Sequence, residues 1–169
     1  MEDLNRPAWS AAELGAALVV GVVGWYLFRP ERAFIDRTVS EALPEADPTA
    51  GAEVVLSGTF HSNAHETRGT ATVYRLSNGR LVLRFTDFET SNGPDVQIYL
   101  VASTDVTDQS DVDKGFINLG AMKGNVGDQN YNLPAGVDLS TYRAVSVWCR
   151  RFAVNFGAAP LRPALGSDG

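Results

Sequence analysis

The sequence predicts an all-β domain, either an antiparallel β-sandwich or a small barrel, preceded by one N-terminal transmembrane helix. Three observations lead to this fold class. Sixteen glycines and eight prolines are scattered between short apolar stretches, which indicates many turns and many short strands. No helical stretch separates those strands. The one long apolar run lies near the N-terminus.

That apolar run, Trp9–Phe28, contains a single charged residue, Glu13. About 20 helical residues reach about 30 Å, which matches the apolar thickness of a bilayer. Trp9 marks one end and Trp25 with Tyr26 the other, as expected of aromatic side chains at membrane interfaces. A cleaved signal peptide would end in small residues, and this run does not. We therefore expect an uncleaved single-pass anchor that contacts the lipid bilayer.

The segments around the anchor complete the predicted organisation. Residues 1–8 form a short N-terminal tail, 29–52 a juxtamembrane linker, 53–161 the β domain and 162–169 a flexible C-terminal tail. Within the linker, Arg32–Leu43 could form a short helix that Pro44 ends. Arginines are more numerous after the anchor than before it, which would place the domain in the cytoplasm.

The clearest local pattern in the β domain is a hairpin within residues 69–85. Asn78-Gly79 suits a two-residue type I′ turn, because both positions tolerate positive φ angles. This turn predicts a register that opposes Leu76 to Leu81, Tyr74 to Leu83 and Thr72 to Phe85. Further strands are expected at 54–60, 96–101, 115–119 and 126–133.

The last predicted strand, residues 144–156, carries the only cysteine of the chain. Val145, Val147 and Cys149 share one face, and Trp148 lies on the other. After Arg151 the apolar positions slip by one residue, which predicts a bulge or tight corner beside Cys149. A lone thiol forms no intrachain disulfide, so it serves packing, thiol chemistry or the binding of a cofactor.

Charge and motifs exclude several functions. The net charge of -6 argues against a nucleic-acid surface, which needs a basic stripe. His61, His65, Cys149 and Met122 are ligand types that copper favours, but nothing in their spacing predicts that they converge. The acidic segment 105–114 does not match a calcium-binding loop, and a solvated loop explains it more simply. We therefore expect no metal site.

An ordered set of motifs resembles the DM13 domain family over about residues 53–161. Its most specific element is Trp148-Cys149. The other matching positions are Gly58-Thr59-Phe60, His65, Gly69, Gly93-Pro94-Asp95-Val96, Tyr99-Leu100, Leu119-Gly120, Lys123-Gly124, Gly127 to Tyr131, Leu133-Pro134, Val145-Ser146-Val147, Phe152, Val154, Phe156-Gly157 and Ala159.

The resemblance implies a β domain on a cell-surface or secreted protein with a role in electron transfer. The family cysteine corresponds to Cys149, which would act as a bare thiol or hold a prosthetic group such as haem, and the family histidine corresponds to His65. Trp148 and Tyr131 are the candidates to line a cofactor pocket. The family is often linked with DOMON and cytochrome b561 modules. Neither is seen here, so the electron partner is expected to be a separate redox protein.

Three functional hypotheses remain open. In the first two we expect the domain to face outside the cytoplasm, as in the family and against the arginine count around the anchor. The first is electron transfer or thiol redox chemistry at Cys149. The second is a binding or adhesion module in which Cys149 is structural. The third is a Cys-His hydrolase, which requires His65 within hydrogen-bond reach of the sulfur.

Overall fold

The computed structural model describes residues 10–28, 35–44 and 51–164. Its first element is the helix α1, Ala11–Phe28. The helix begins where Glu13 accepts a hydrogen bond from the Ser10 backbone N–H at 2.8 Å, and the Ser10 hydroxyl accepts one from the Glu13 N–H. No helix in the described ranges is both long and apolar enough to cross a bilayer. The predicted transmembrane span Trp9–Phe28 is therefore not confirmed, and Trp9 itself lies outside the described residues.

The remaining elements are eleven strands and one short helix within the described ranges. They are β1 Thr38–Ser40, β2 Glu53–Thr59, β3 His61–Ser62, β4 Arg68–Arg75, β5 Leu81–Glu89, β6 Val96–Val101, α2 Gln109–Asp113, β7 Phe116–Ala121, β8 Val126–Asn132, β9 Ala144–Cys149, β10 Val154–Pro160 and β11 Arg162–Pro163. They form a six-stranded sheet in the order β1-β8-β5-β4-β2-β11 and a five-stranded sheet in the order β3-β10-β9-β6-β7. The predicted strand positions are confirmed, apart from the changes described below.

The two sheets share one hydrophobic core and do not close into a barrel over the described residues. The first sheet contributes large side chains such as Phe85, Phe88 and Tyr131, and the second contributes smaller ones such as Ile98 and Val147. The predicted all-β class is therefore confirmed, and the two-sheet arrangement is that of a sandwich rather than a barrel.

The hairpin β4–β5 exists, but its predicted register is wrong by one residue. Val73 pairs with Leu83 and Ala71 with Phe85, so Tyr74 and Thr72 do not face these residues. The Leu76 N–H donates to the Arg80 carbonyl, and the Gly79 N–H donates to the Leu76 carbonyl at 2.9 Å. Within this loop only Gly79 has a positive φ, of 82°. The loop is therefore a three-residue turn with a glycine bulge, which adds one residue and moves every pair.

The last predicted strand is two strands, β9 and β10, joined by a tight turn at residues 150–153. Ala153 adopts a φ of 51° there, and the Phe152 side chain is exposed. The shift of the apolar positions after Arg151 therefore arises from a reversal of the chain. A bulge follows in β10 between Asn155 and Gly157. The corner beside Cys149 is confirmed, although it reverses the chain rather than bending one strand. The segment 162–169 was predicted as a tail, but its first two residues form β11 on the edge of the first sheet.

The linker forms a strand where a helix was predicted between Arg32 and Leu43. We call residues 35–44 the strap. Its strand β1 pairs in parallel with β8, with Val39 beside Gly127. The Glu41 carboxylate accepts hydrogen bonds from Lys123 Nζ and from the Asn130 N–H, each at 2.8 Å. The pKa of Glu41 is lowered, because these contacts with Lys123 and Asn130 outweigh the opposing effect of burial. Tertiary hydrogen bonds thus override the local helical pattern.

Two glycines of the first sheet let the strap approach closely. A Cβ atom built on Gly127 would lie 2.1 Å from the Val39 carbonyl oxygen, and one on Gly124 would lie 2.4 Å from the Arg37 carbonyl oxygen. Gly127 also has a φ of 98°, which side chains disfavour. Both positions therefore require glycine for the strap to dock.

We predict that Gly127→Ala destabilises the protein by about 1–3 kcal/mol more than Gly79→Ala, because only the former adds a clash to the strained φ. Gly79 is the matched control, since it has a φ of 82° and open space around its Cβ position. Urea denaturation of the full chain, followed by circular dichroism, measures both losses. Equal losses for the two variants would contradict the close packing of the strap.

Candidate functional site

Cys149 is the last residue of β9 and lies in the core between the sheets. Its backbone pairs with Val96 of β6 on one side and with Val154 of β10 on the other. Its side chain has no exposed surface. The thiol makes no hydrogen bond to any side chain or backbone group of the described residues. The sulfur is therefore sealed at one end of the sandwich, next to the exposed turn 150–153.

A loop of residues 91–95, which we call the lid, closes this end of the sandwich. A Cβ atom on Gly93 would lie 2.7 Å from Val96 Cγ2 and 3.0 Å from Phe156 Cζ, so the backbone packs directly on these two core side chains. Val96 and Phe156 belong to the same core cluster as Cys149. The lid therefore lies over the core residues that enclose the thiol.

The lid is fixed to the turn beside Cys149 by Asp95 and Arg150. The Arg150 N–H donates to the Asp95 carbonyl at 2.9 Å, and Arg150 Nε donates to Asp95 Oδ2 at 2.8 Å. Gln97 Nε2 also donates to the Asp95 carboxylate. The hydrogen bond from Arg150 is the main reason that the pKa of Asp95 is lowered, and burial opposes it. At neutral pH this ion pair joins the lid to the end of β9.

His65 forms another wall of the same region but does not reach the thiol. The His65 ring packs on the Phe156 ring with the centroids 4.0 Å apart, and the backbone N–H of His65 donates to the Phe156 carbonyl. The imidazole makes no hydrogen bond to Cys149. The Cys-His pair that a hydrolase requires is therefore not formed, and that hypothesis is not supported by this geometry.

Trp148 lies on the opposite face of the second sheet from Cys149, as the alternation predicted. It belongs to a smaller cluster in which Val106 and Val112 cover the outer face of the sheet. Tyr99 stacks near it, with ring centroids 6.3 Å apart, and Phe116 stacks on Tyr99 at 4.1 Å. Trp148 and Cys149 are adjacent in sequence but do not line one pocket.

Tyr131 shares the core with Cys149 but comes from the other sheet. Its hydroxyl donates to Gln129 Oε1 at 2.7 Å, and Gln129 Oε1 also accepts from the Lys123 N–H. Burial is the main cause of the raised pKa of Tyr131. The Tyr131 hydroxyl thus provides a hydrogen-bond partner for the buried Gln129 amide, and the Tyr131 ring packs against Phe85.

A haem does not fit around Cys149 as the structure places its neighbours. An axial thiolate needs an open side towards the iron, whereas this sulfur is enclosed on all sides by core residues. The two proposed pocket residues, Trp148 and Tyr131, lie on different faces of different sheets. No haem-dependent step is therefore part of the function proposed below.

The potential metal ligands have other partners. His61 Nε2 hydrogen-bonds Asp105 Oδ1 at 2.8 Å, and the His65 ring packs on Phe156. Asp108 caps α2, and Asp111 pairs with Lys114, whose hydrogen bond is the main cause of an Asp111 pKa of about 2. Among the residues that the structure describes, no three side chains of the usual ligand types form a group that could hold a metal ion.

Sequence reasoning missed the lid and its attachments. In the sequence, Asn92-Gly93-Pro94-Asp95 indicates a turn before β6 and nothing more. Its contacts with Phe156 and Arg150 join segments more than 50 residues apart. The glycine offered one usable signal, because a glycine in a turn often marks a close approach of the backbone.

A family model described as electron transfer DM13 matches residues 59–161, and so confirms the resemblance found in the sequence. Cys149, His65, Trp148 and Tyr131 all lie within the matched segment. Neither a curated protein nor a solved structure matched the chain.

The lowered pKa of Asp95 predicts a pH-dependent contribution to stability. A carboxyl group with a lowered folded-state pKa stabilises the fold above its unfolded pKa, about 3.9, and loses this effect as the pH falls through the folded-state value. We therefore expect Asp95→Asn to be less stable than wild type at pH 7 and to approach it below about pH 4. Urea denaturation across this range measures the difference. In an Arg150→Met background the pH-dependent difference should largely disappear, and its persistence would contradict the assigned partner.

Proposed function

Because the chain belongs to the DM13 family of electron-transfer domains, we propose that it exchanges electrons through the Cys149 thiol with a separate redox protein. The observation that carries this proposal is the position of the thiol. Cys149 is the only cysteine of the chain, lies within the matched segment, and ends a strand directly before the exposed turn 150–153. The redox group would thus lie at the end of the sandwich rather than at its middle.

A lone thiol exchanges two electrons most simply with a disulfide. Cys149 Sγ, as the thiolate, would attack one sulfur of the partner's disulfide. The Cys149–partner S–S bond forms, the original S–S bond breaks, and the leaving thiolate takes up a proton. Cys149 is thereby oxidised and the released sulfur is reduced. Such chemistry suits an oxidising compartment, so we propose that the domain faces outside the cytoplasm.

The sealed sulfur must be uncovered for this exchange. Local opening requires far less free energy than global unfolding where few contacts hold a segment. The lid is a short loop, and the adjoining turn carries the exposed side chain of Phe152. Displacing the lid and this turn would uncover Cys149 while the strands on either side remain paired.

We predict that oxidised glutathione adds one glutathione to each wild-type chain under native conditions and none to Cys149→Ala. The reason is that the variant lacks the only thiol. Intact-mass spectrometry measures the adduct, and a dithiol reductant should remove it. Cys149→Ser is a second control, which we expect to lose about 1–3 kcal/mol of stability through a poorly partnered buried hydroxyl. A wild-type chain that reacts only after unfolding in urea would contradict the redox proposal.

A second candidate function is a binding module in which Cys149 only fills the core. The complete enclosure of the sulfur and its lack of hydrogen bonds favour this candidate. The same experiment separates the two functions, because a purely structural thiol reacts only at the rate of global unfolding.

We also propose that α1 tethers the domain to a lipid membrane. This proposal is supported by eight exposed apolar side chains on the helix. They are Leu14, Leu18, Val19, Val20, Val22, Val23, Trp25 and Tyr26. Apolar side chains exposed in such number mark a surface that contacts lipid or protein.

We predict that the full chain floats with phosphatidylcholine vesicles and that Val20→Glu weakens this binding about a hundredfold. The physical reason is the cost of placing a charge at the centre of an apolar helix. Phe152→Glu is the matched control, because Phe152 is a similarly exposed apolar residue outside the helix. Flotation that is unchanged in Val20→Glu, or lost equally in Phe152→Glu, would contradict the tether.

A further inference from the structure

The strap is hydrogen-bonded to the lid, which packs on Phe156 and on Val96, the β6 partner of Cys149. Asn92 Nδ2 in the lid donates to the Ile35 carbonyl in the strap at 2.6 Å. Ile35 and Asn92 are 57 residues apart in sequence, so this contact exists only while the strap is docked. The first residue of the strap therefore holds the second residue of the lid.

Asn125 strengthens this connection at the base of the lid. Its side chain is nearly fully buried, accepts from the Arg37 N–H and donates to Asp36 Oδ1, each at 2.7 Å. It also donates to the Thr90 carbonyl, and the Thr90 N–H donates to the Asn125 carbonyl. Thr90 directly precedes the lid. One buried side chain thus joins the strap to the point where the lid begins.

The other end of the strap is held by charged groups far from the thiol in the chain. Lys123 Nζ donates to both carboxylate oxygens of Glu41 at 2.8 Å, and Arg84 Nη1 donates to the Glu41 carbonyl. Arg84 lies on β5 of the first sheet and Lys123 in the loop between β7 and β8, whereas Cys149 belongs to the second sheet. Loss of the Lys123–Glu41 pair would release this end of the strap.

We propose that the strap is a latch that keeps the lid closed, so that release of the strap exposes Cys149. The latch controls access to the Cys149 sulfur whether or not that sulfur reacts with a disulfide. Only its biological purpose rests on the proposed redox function. The strap follows α1 in the chain by six residues, 29 to 34. A membrane or partner that binds α1 would therefore act on the strap before any other part of the β domain.

Thiol alkylation of the full chain by N-ethylmaleimide tests the latch. Two variants weaken it at separate points: Lys123→Met removes the charged anchor, and Asn92→Ala removes the hydrogen bond to Ile35. Lys123→Met removes an ion pair with two hydrogen bonds, and Asn92→Ala removes one hydrogen bond. We expect each to accelerate native alkylation about fivefold or more. Lys114→Met is the matched control, since Lys114 forms a similar pair with Asp111 at 2.7 Å away from the strap.

The double variant gives the sharper result. If both contacts act through one strap, Asn92→Ala should add little once Lys123→Met has released the strap. Hydrogen exchange at the Val39 and Glu41 amides, which face β8, should accelerate in Lys123→Met and not in Lys114→Met. Alkylation that is unchanged in Lys123→Met, equally accelerated in Lys114→Met, or limited to globally unfolded chains in every variant would overturn the latch.

These outcomes are independent of the glutathione experiment. A faster alkylation in Lys123→Met, together with no glutathione adduct on the wild type, would leave the latch in place and remove the disulfide chemistry. A wild-type adduct with unchanged alkylation in the strap variants would remove the latch alone.

Discussion

The complementary inner faces of the two sheets are the constraint on which the rest of the structure depends. The first sheet presents Phe85 with Phe60, Phe88 and Tyr131 around it, at ring-centroid distances of 4.9 to 5.4 Å. The second presents mainly branched aliphatic side chains and Cys149. Because protein interiors are close-packed, large rings on one face require smaller groups on the other. A cysteine fits this requirement, and the same packing encloses its sulfur.

This enclosure divides the structure into parts that bury the thiol and parts that could uncover it. The paired strands β6, β9 and β10 surround Cys149 and cannot separate without breaking the core. The lid is different, because it packs through the backbone of Gly93 and is held by side chains of Asn92, Asp95 and Arg150. Access to the sulfur therefore depends on a few polar contacts at the end of the sandwich rather than on the core itself.

The sequence predicted those features that short-range patterns determine. Alternation placed Cys149 and Trp148 on opposite faces of β9, and the slip after Arg151 indicated the corner beside them. The hairpin register could not be predicted from the sequence, because Asn78-Gly79 suits both a two-residue turn and a three-residue turn with a bulge. A strand of three residues, β1, shows no periodicity of its own and forms only because Gly124 and Gly127 leave room for it. The lid contacts likewise join residues that no local pattern connects.

The outermost strands of the six-stranded sheet are very short, with three residues in β1 and two in β11. Long unpaired strand edges recruit other chains, and proteins commonly protect them with short terminal strands. When the strap is docked, β1 pairs with the first three residues of β8, Val126–Asp128, and covers that part of its outer edge. An undocked strap would expose that side as a template for an added strand. The strap therefore also protects the edge of the sheet against self-association. An event that releases the strap must be brief, or another strand must take its place beside β8.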